Sequence, residues 1–161
     1  MAALIGGLVM GSKASAVVTT LGTDIAIKTL TSTTSSIGSV ISYLTTNTKP
    51  GASDISSMLS SLDLEFTVTI IECVIKEYVE VERKKELVPA IQKAIIGVNE
   101  ILECINKELN AIKEAIEYHN SKYLKNWRSF SWNGNTDSIR KHNEILKNRY
   151  QMLLELLKIH M

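Results

Sequence analysis

Two stretches thirty-one residues apart carry both cysteines of the chain, IIECVIKE at 70–77 and ILECINKE at 101–108. A pair of thiols can form a disulfide, hold a soft metal or supply a nucleophile. Each of these chemistries needs more than sulfur. Structural zinc sites bring thiols two to four residues apart and complete a set of four ligands, whereas Cys73 and Cys104 each stand alone in their segment. A nucleophile needs an adjacent base. No Ser-His-Asp order, phosphate-binding glycine loop or paired-carboxylate motif accompanies either cysteine. His119 and His142 are the other candidate ligands, flanking a turn that would bring them level. Without an ExxH or HxxxH pattern they read as seam histidines and not as a metal site. The expectation is a protein that is not an enzyme, with no catalytic residue, no metal and no cofactor, and with both thiols free and buried.

The elements that would carry these residues follow from punctuation. Pro50-Gly51 marks one break, with Ser53 or Asp54 as a helix cap after it, and Asn133-Gly134 marks another, with Thr136 or Asp137 as cap. Pro89 marks a third, since proline belongs to a first helical turn or a kink. The stretches between them predict helices over 14–46, 54–87, 89–127 and 137–160. In the third, Ile91, Ile95, Val98, Leu102, Ile105, Leu109, Ile112, Ile116, His119 and Tyr123 follow one another at spacings of four and three. That is a coiled-coil-like seam. Ile139, Leu146, Tyr150, Leu153 and Leu157 repeat the rhythm in the fourth stretch, and Leu64, Ile71, Val74, Tyr78 and Val81 in the second. Ile27, Leu30, Thr34, Ile37, Ile41 and Leu44 do so in the first. No alternating apolar–polar run appears. The expected fold is all-α, an antiparallel up-down-up-down four-helix bundle in one domain spanning 1–161.

The repeated octapeptide then becomes a packing pattern. Cys104 lies off the main seam, on a second stripe with Ala94, Gly97, Ile101, Ala111, Ala115 and Tyr118, and Cys73 lies on a similar stripe with Phe66 and Ile70. Helices with two apolar stripes touch two neighbours. The cysteines are also equidistant from 88–89. If the chain reverses at Pro89 they come to one height, and if the helix merely kinks they stand about 45 Å apart; reversal is the preferred reading.

Charge is distributed unevenly. Residues 1–60 hold only Lys13, Asp24, Lys28, Lys49 and Asp54 among charged side chains, while 61–161 hold fifteen basic and fifteen acidic residues. A net charge of +1 gives no general attraction to nucleic acid. Two cysteines and no glycosylation sequon argue for an intracellular or particle-associated protein in a reducing compartment, not a secreted one. An uncharged helix face asks for a cover. Its far side (Thr31, Ser35, Ser39 and Ser42), continued by Ala3, Gly7, Gly11 and Ser15 at every fourth position, is the expected contact with a second protein subunit. Residues 1–13 form a small-residue apolar segment too short to span a bilayer. Trp127, Phe130 and Trp132 cluster in a loop that could dock on a partner or fold over the bundle end. The expected function is structural or scaffolding, through helix–helix self-association into an oligomer or incorporation into a virion or other multi-subunit particle. The alternative is a membrane-active helical protein, pore-forming or membrane-remodelling, that inserts its glycine-spaced N-terminus.

Overall fold

The computed structural model describes residues 12–46, 52–81, 87–121 and 133–160, with side chains from Ile25 in the first helix, Asp54 in the second and Gly134 in the last. The described residues are helical and contain no strand: α1 (Ser12–Thr46), α2 (Ala52–Leu62), α3 (Leu64–Val81), α4 (Pro89–Asn120) and α5 (Asn133–His160). The all-α expectation holds.

The apolar seams are largely where the spacing places them, but Val81, expected on the seam of the second stretch, is exposed at the last residue of α3. Along α4, Ile91, Ile95, Val98, Leu102, Ile105, Leu109, Ile112, Ile116 and His119 are all buried. Leu30, Ile37, Ile41 and Leu44 of α1 and Ile139, Leu146, Leu153 and Leu157 of α5 join the same cluster. Tyr123 lies outside the described residues. Pro89 opens α4 at the position where its missing N–H is not needed. No side chain caps that end, and the Gln92 amide instead donates to the Leu87 carbonyl at 3.1 Å.

The expected helix over 54–87 is two helices. Asp63 adopts a left-handed conformation (φ 51°), which aspartate tolerates better than most residues with a Cβ. Its carbonyl accepts the Thr67 N–H at 3.1 Å and the Thr67 hydroxyl at 2.9 Å. The cause is a phase conflict. The buried face of α2 is Ile55, Met58 and Leu59, and that of α3 is Leu64, Val68, Ile71 and Ile75. In one continuous helix Leu59 and Leu64 would point about 140° apart, so the chain breaks between them and both faces reach the core. The caps also shift. Helix α5 starts at Asn133, so Asn133-Gly134 forms its first turn and not a preceding loop. The Asn135 amide donates to Glu108 at 2.9 Å and holds that turn on α4. At the other end of α4, Ser121 rather than Trp127 closes the helix, its hydroxyl donating to the Tyr118 carbonyl at 2.7 Å.

Polar contacts fix the directions of the helices. Ser36 donates to the Asn106 side chain at 2.9 Å, and the Lys113 ammonium stands over the Tyr43 ring at 5.3 Å. Both pairs are 70 residues apart, so α1 and α4 run in the same direction. Going up α5 from Asn135 to Arg149, partners on α4 descend from Glu108 to Glu100 and Gly97, so these two helices are antiparallel. Thr34 bonds Glu72 of α3 two residues from the α1 position that meets Asn106. An unbroken helix would hold residues 72 and 106 about 50 Å apart; the chain therefore doubles back between α3 and α4, as the reversal at Pro89 requires. The closest packing is α4 with α5 and α1 with α4, with α2 and α3 laid against α1.

Candidate interaction surfaces

The thiols come first, and burial is corrected. Cys73 and Cys104 are free, but both are exposed. Neither second stripe is covered along its length. On α4, Ala94 and Gly97 are half-buried and Ile101 is buried beside α5, whereas Cys104, Ala111 and Tyr118 face solvent. Arg149 lies against Gly97, its guanidinium donating to the Gly97 carbonyl and reaching Glu100 at 3.4 Å. On α3, Phe66 and Ile70 are exposed together with Cys73. Among the described residues α3 packs chiefly on α1 and α2, and its Phe66, Ile70 and Cys73 stripe is exposed.

His119 is buried on the seam and His142 is half-buried on α5. They do not come level. His142 lies midway between Asn135 and Arg149, hence near residue 103 of α4, about 24 Å from His119 along the axis. Among the described residues no three metal-ligating side chains gather.

The contact predicted on α1 divides by height along the helix. Ser35, Ser39 and Ser42 are exposed and Thr31 is half-buried. Ala3, Gly7, Gly11, Trp127, Phe130 and Trp132 lie outside the described residues, and Ser15 falls in α1 with its side chain outside them. Ser39 of the ridge, with Thr46 and Thr29 of the same helix, turns its hydroxyl inward on α1. Ser39 donates to the Ser35 carbonyl at 2.9 Å, Thr46 to Ser42 at 2.7 Å and Thr29 to Ile25 at 2.9 Å. Such back-bonding uses the hydroxyl proton and leaves a small, nearly flat ridge.

The polar residues that organise the interior were not legible as a group. Thr34 and Lys76 converge on Glu72. Burial pushes this carboxyl up, but the hydrogen bonds from Lys76 and Thr34 and the Lys76 charge outweigh it and hold Glu72 below the ordinary carboxylate range. Asn106 accepts from Ser36 and from Asn110 at 3.0 Å. Asn99 and Asn143 interrupt the buried seams of α4 and α5, each with its Oδ1 unpaired. Burial also raises the Tyr150 hydroxyl above its ordinary value. The lone signal for these groups is an amide or hydroxyl at a seam position, which spacing alone equates with an exposed one.

No known protein family matches the chain, and no solved structure matches it. One similar protein is "Uncharacterized protein L717" of Acanthamoeba polyphaga mimivirus, 32% identical over 66 residues. The matched region is 41% of this chain and 32% of the viral protein, so the chain spans about a third of the length of that relative.

Proposed function

We propose that this is a non-enzymatic structural or scaffolding protein that associates through helix–helix contacts, as an oligomer or as a subunit of a larger particle such as a virion. In this reading its helices form an antiparallel up-down-up-down bundle with α1 as the shared edge. The observation that supports it most is the exposed Ser35–Ser39–Ser42 ridge. A solvated helix face ordinarily carries Glu and Lys, as the outer face of α4 does with Glu103, Lys107 and Glu114. The α1 ridge carries none. The Ser39 hydroxyl, already bonded to its own helix, loses little on leaving water, and small side chains allow two helix backbones to approach closely. Molar mass by light scattering tests this. Wild-type protein at tens of micromolar should exceed 17.9 kDa, and Ser35→Glu/Ser39→Glu should return it to the monomer with helical circular dichroism unchanged. A wild-type monomer that also captures no subunit from its native extract would end the proposal.

A further inference from the structure

Large apolar side chains are exposed at one height of the molecule, on four helices at once. Ile25 of α1 lies nine residues before Thr34, and Val81 of α3 nine residues after Glu72; because Thr34 bonds Glu72 and the helices run oppositely, the two come level. The 70-residue offset between α1 and α4 places Ile96 beside the same level. Met152 of α5 follows Arg149, which bonds the Gly97 carbonyl, and Ile159 lies two turns further toward the same end. These five are between 47% and 74% exposed. They occupy a band about 15 Å tall at the Pro89 end. Phe66, Ile70 and Tyr118, also exposed, lie at least about 15 Å further along the axis.

What covers such a collar is constrained by its shape and by the chain leaving there. A second copy docked on one side would cover one or two of the four helices. A planar apolar interface touches all of them together. From Ser12 to about residue 19, α1 runs past the level of Pro89 by about 10 Å. Residues 1–23 carry a single charge, Lys13. The end of α1, with Lys13 as its single charge before Asp24, thus emerges through the collar. No helix of the described residues is long and apolar enough to cross a membrane, and the part of α1 past Pro89, about 10 Å long, is within the depth of one leaflet. Lys93 and Lys158, exposed in the same band, have stems long enough to lift their charges toward headgroups. Glu80 and Glu155 share the band and match them in number, so its described charges give no net pull toward anionic lipid.

We propose that the Pro89 end docks on a phospholipid surface, with the first two turns of α1 entering the proximal leaflet and Ile25, Val81, Ile96, Met152 and Ile159 seated among the headgroups. This inference does not rest on the self-association reading, which uses the serine ridge. The test is flotation of the full chain with phosphatidylcholine vesicles at two salt concentrations. Wild type should float at both. Met152→Glu/Ile159→Glu should lower the bound fraction at least tenfold, and Val81→Glu/Ile96→Glu likewise, while Phe66→Glu, outside the band, floats as wild type does. A nitroxide at Met152→Cys in a Cys73→Ser/Cys104→Ser background should gain oxygen accessibility on vesicles, and one at Cys73 in Cys104→Ser should not. Wild type that stays in the aqueous fraction overturns the proposal. So do collar variants that float normally, or a Phe66→Glu loss equal to theirs. Collar variants that change molar mass without lipid would assign the collar to a second copy instead, also against the proposal. Ser35→Glu/Ser39→Glu should change mass and leave flotation intact, so the two readings fail separately.

Discussion

Helices α1 and α4 lie side by side, point the same way and feed the same core, yet they are built from different residues. Helix α4 is an apolar seam backed by Glu and Lys. Helix α1 buries Leu30, Ile37, Ile41 and Leu44 at the same rhythm but mixes in buried Thr33 and Thr34 and is backed by serine. Inner faces are therefore interchangeable in spacing, while outer faces are not. On α4 the outer charges keep the helix in water. On α1 the Ser39 and Thr46 hydroxyls bond the helix's own carbonyls, and serine and threonine are mediocre helix formers that need packing to remain helical. The lesson is that one helix is specified from both sides and the other from its inner side alone.

The sharpest break in this comparison is Ile105→Lys. The side chain is fully buried at the middle of the α4 seam, and an unpaired ammonium there should cost about 3–5 kcal/mol or unfold the chain. Cys104→Ser, one residue away on the exposed back of the same helix, should change stability by less than about 0.5 kcal/mol. Urea denaturation of both variants checks the pair; equal losses would mean that the inner and outer faces of α4 are wrongly assigned.

A smaller effect separates α1 from its other neighbour. Glu72, held by Thr34 and Lys76, has a depressed pKa. A carboxylate depressed in the folded state adds stability above its unfolded value, and that stability is lost as pH falls through the folded value. Wild type should therefore lose more stability on acidification below about pH 4.3 than Glu72→Gln does. Parallel pH profiles for the two proteins would show that Glu72 ties α3 to α1 by position alone and not by charge.

The smallest effect compares the glycines. An added Cβ at Gly38 of α1 meets nothing within 4 Å, and at Gly97 of α4 it meets Arg149 Nη1 at 3.7 Å, an ordinary contact. Alanine at either site should stabilise by about 0.5–1 kcal/mol through helix propensity, seen as a rise of about 1–4 °C in Tm. Destabilisation at Gly97 alone would show that Arg149 needs the bare backbone.

How much of this was legible follows the same division. Every predicted seam position of α4 from Ile91 to His119 is buried, because a strict 3.5-residue period leaves a helix one face to bury. The break at Asp63 is also present in the sequence, as the phase jump from Leu59 to Leu64, but no proline or glycine marks it between Gly51 and Pro89. Exposure of Cys73, Cys104, Phe66 and Ile70 was not legible. Periodicity says which residues share a face, and only the arrangement of neighbours decides whether that face is covered. Of the candidate surface, the serine ridge could be read from missing charge; the collar could not, since its members meet only through registers set by Thr34–Glu72, Ser36–Asn106 and Arg149–Gly97.

The offset of 70 residues between α1 and α4 also bears on the order of assembly. Helices α4 and α5 are consecutive and antiparallel, so their contacts close a short loop. The contacts of α1 with α4 must first enclose two other helices, and closing a longer loop before any contact rewards it slows a folding step. The expected order is a hairpin of α4 and α5 that forms early, with α1 docking afterward onto a surface already made. Pulse-labelled hydrogen exchange should find the amides of α4 and α5 protected before those of α1, and simultaneous protection would refute the sequence of events. Until α1 arrives, the face of α4 that holds Asn106 and Asn110 is open to solvent, and its polar side chains keep that waiting surface from being purely adhesive.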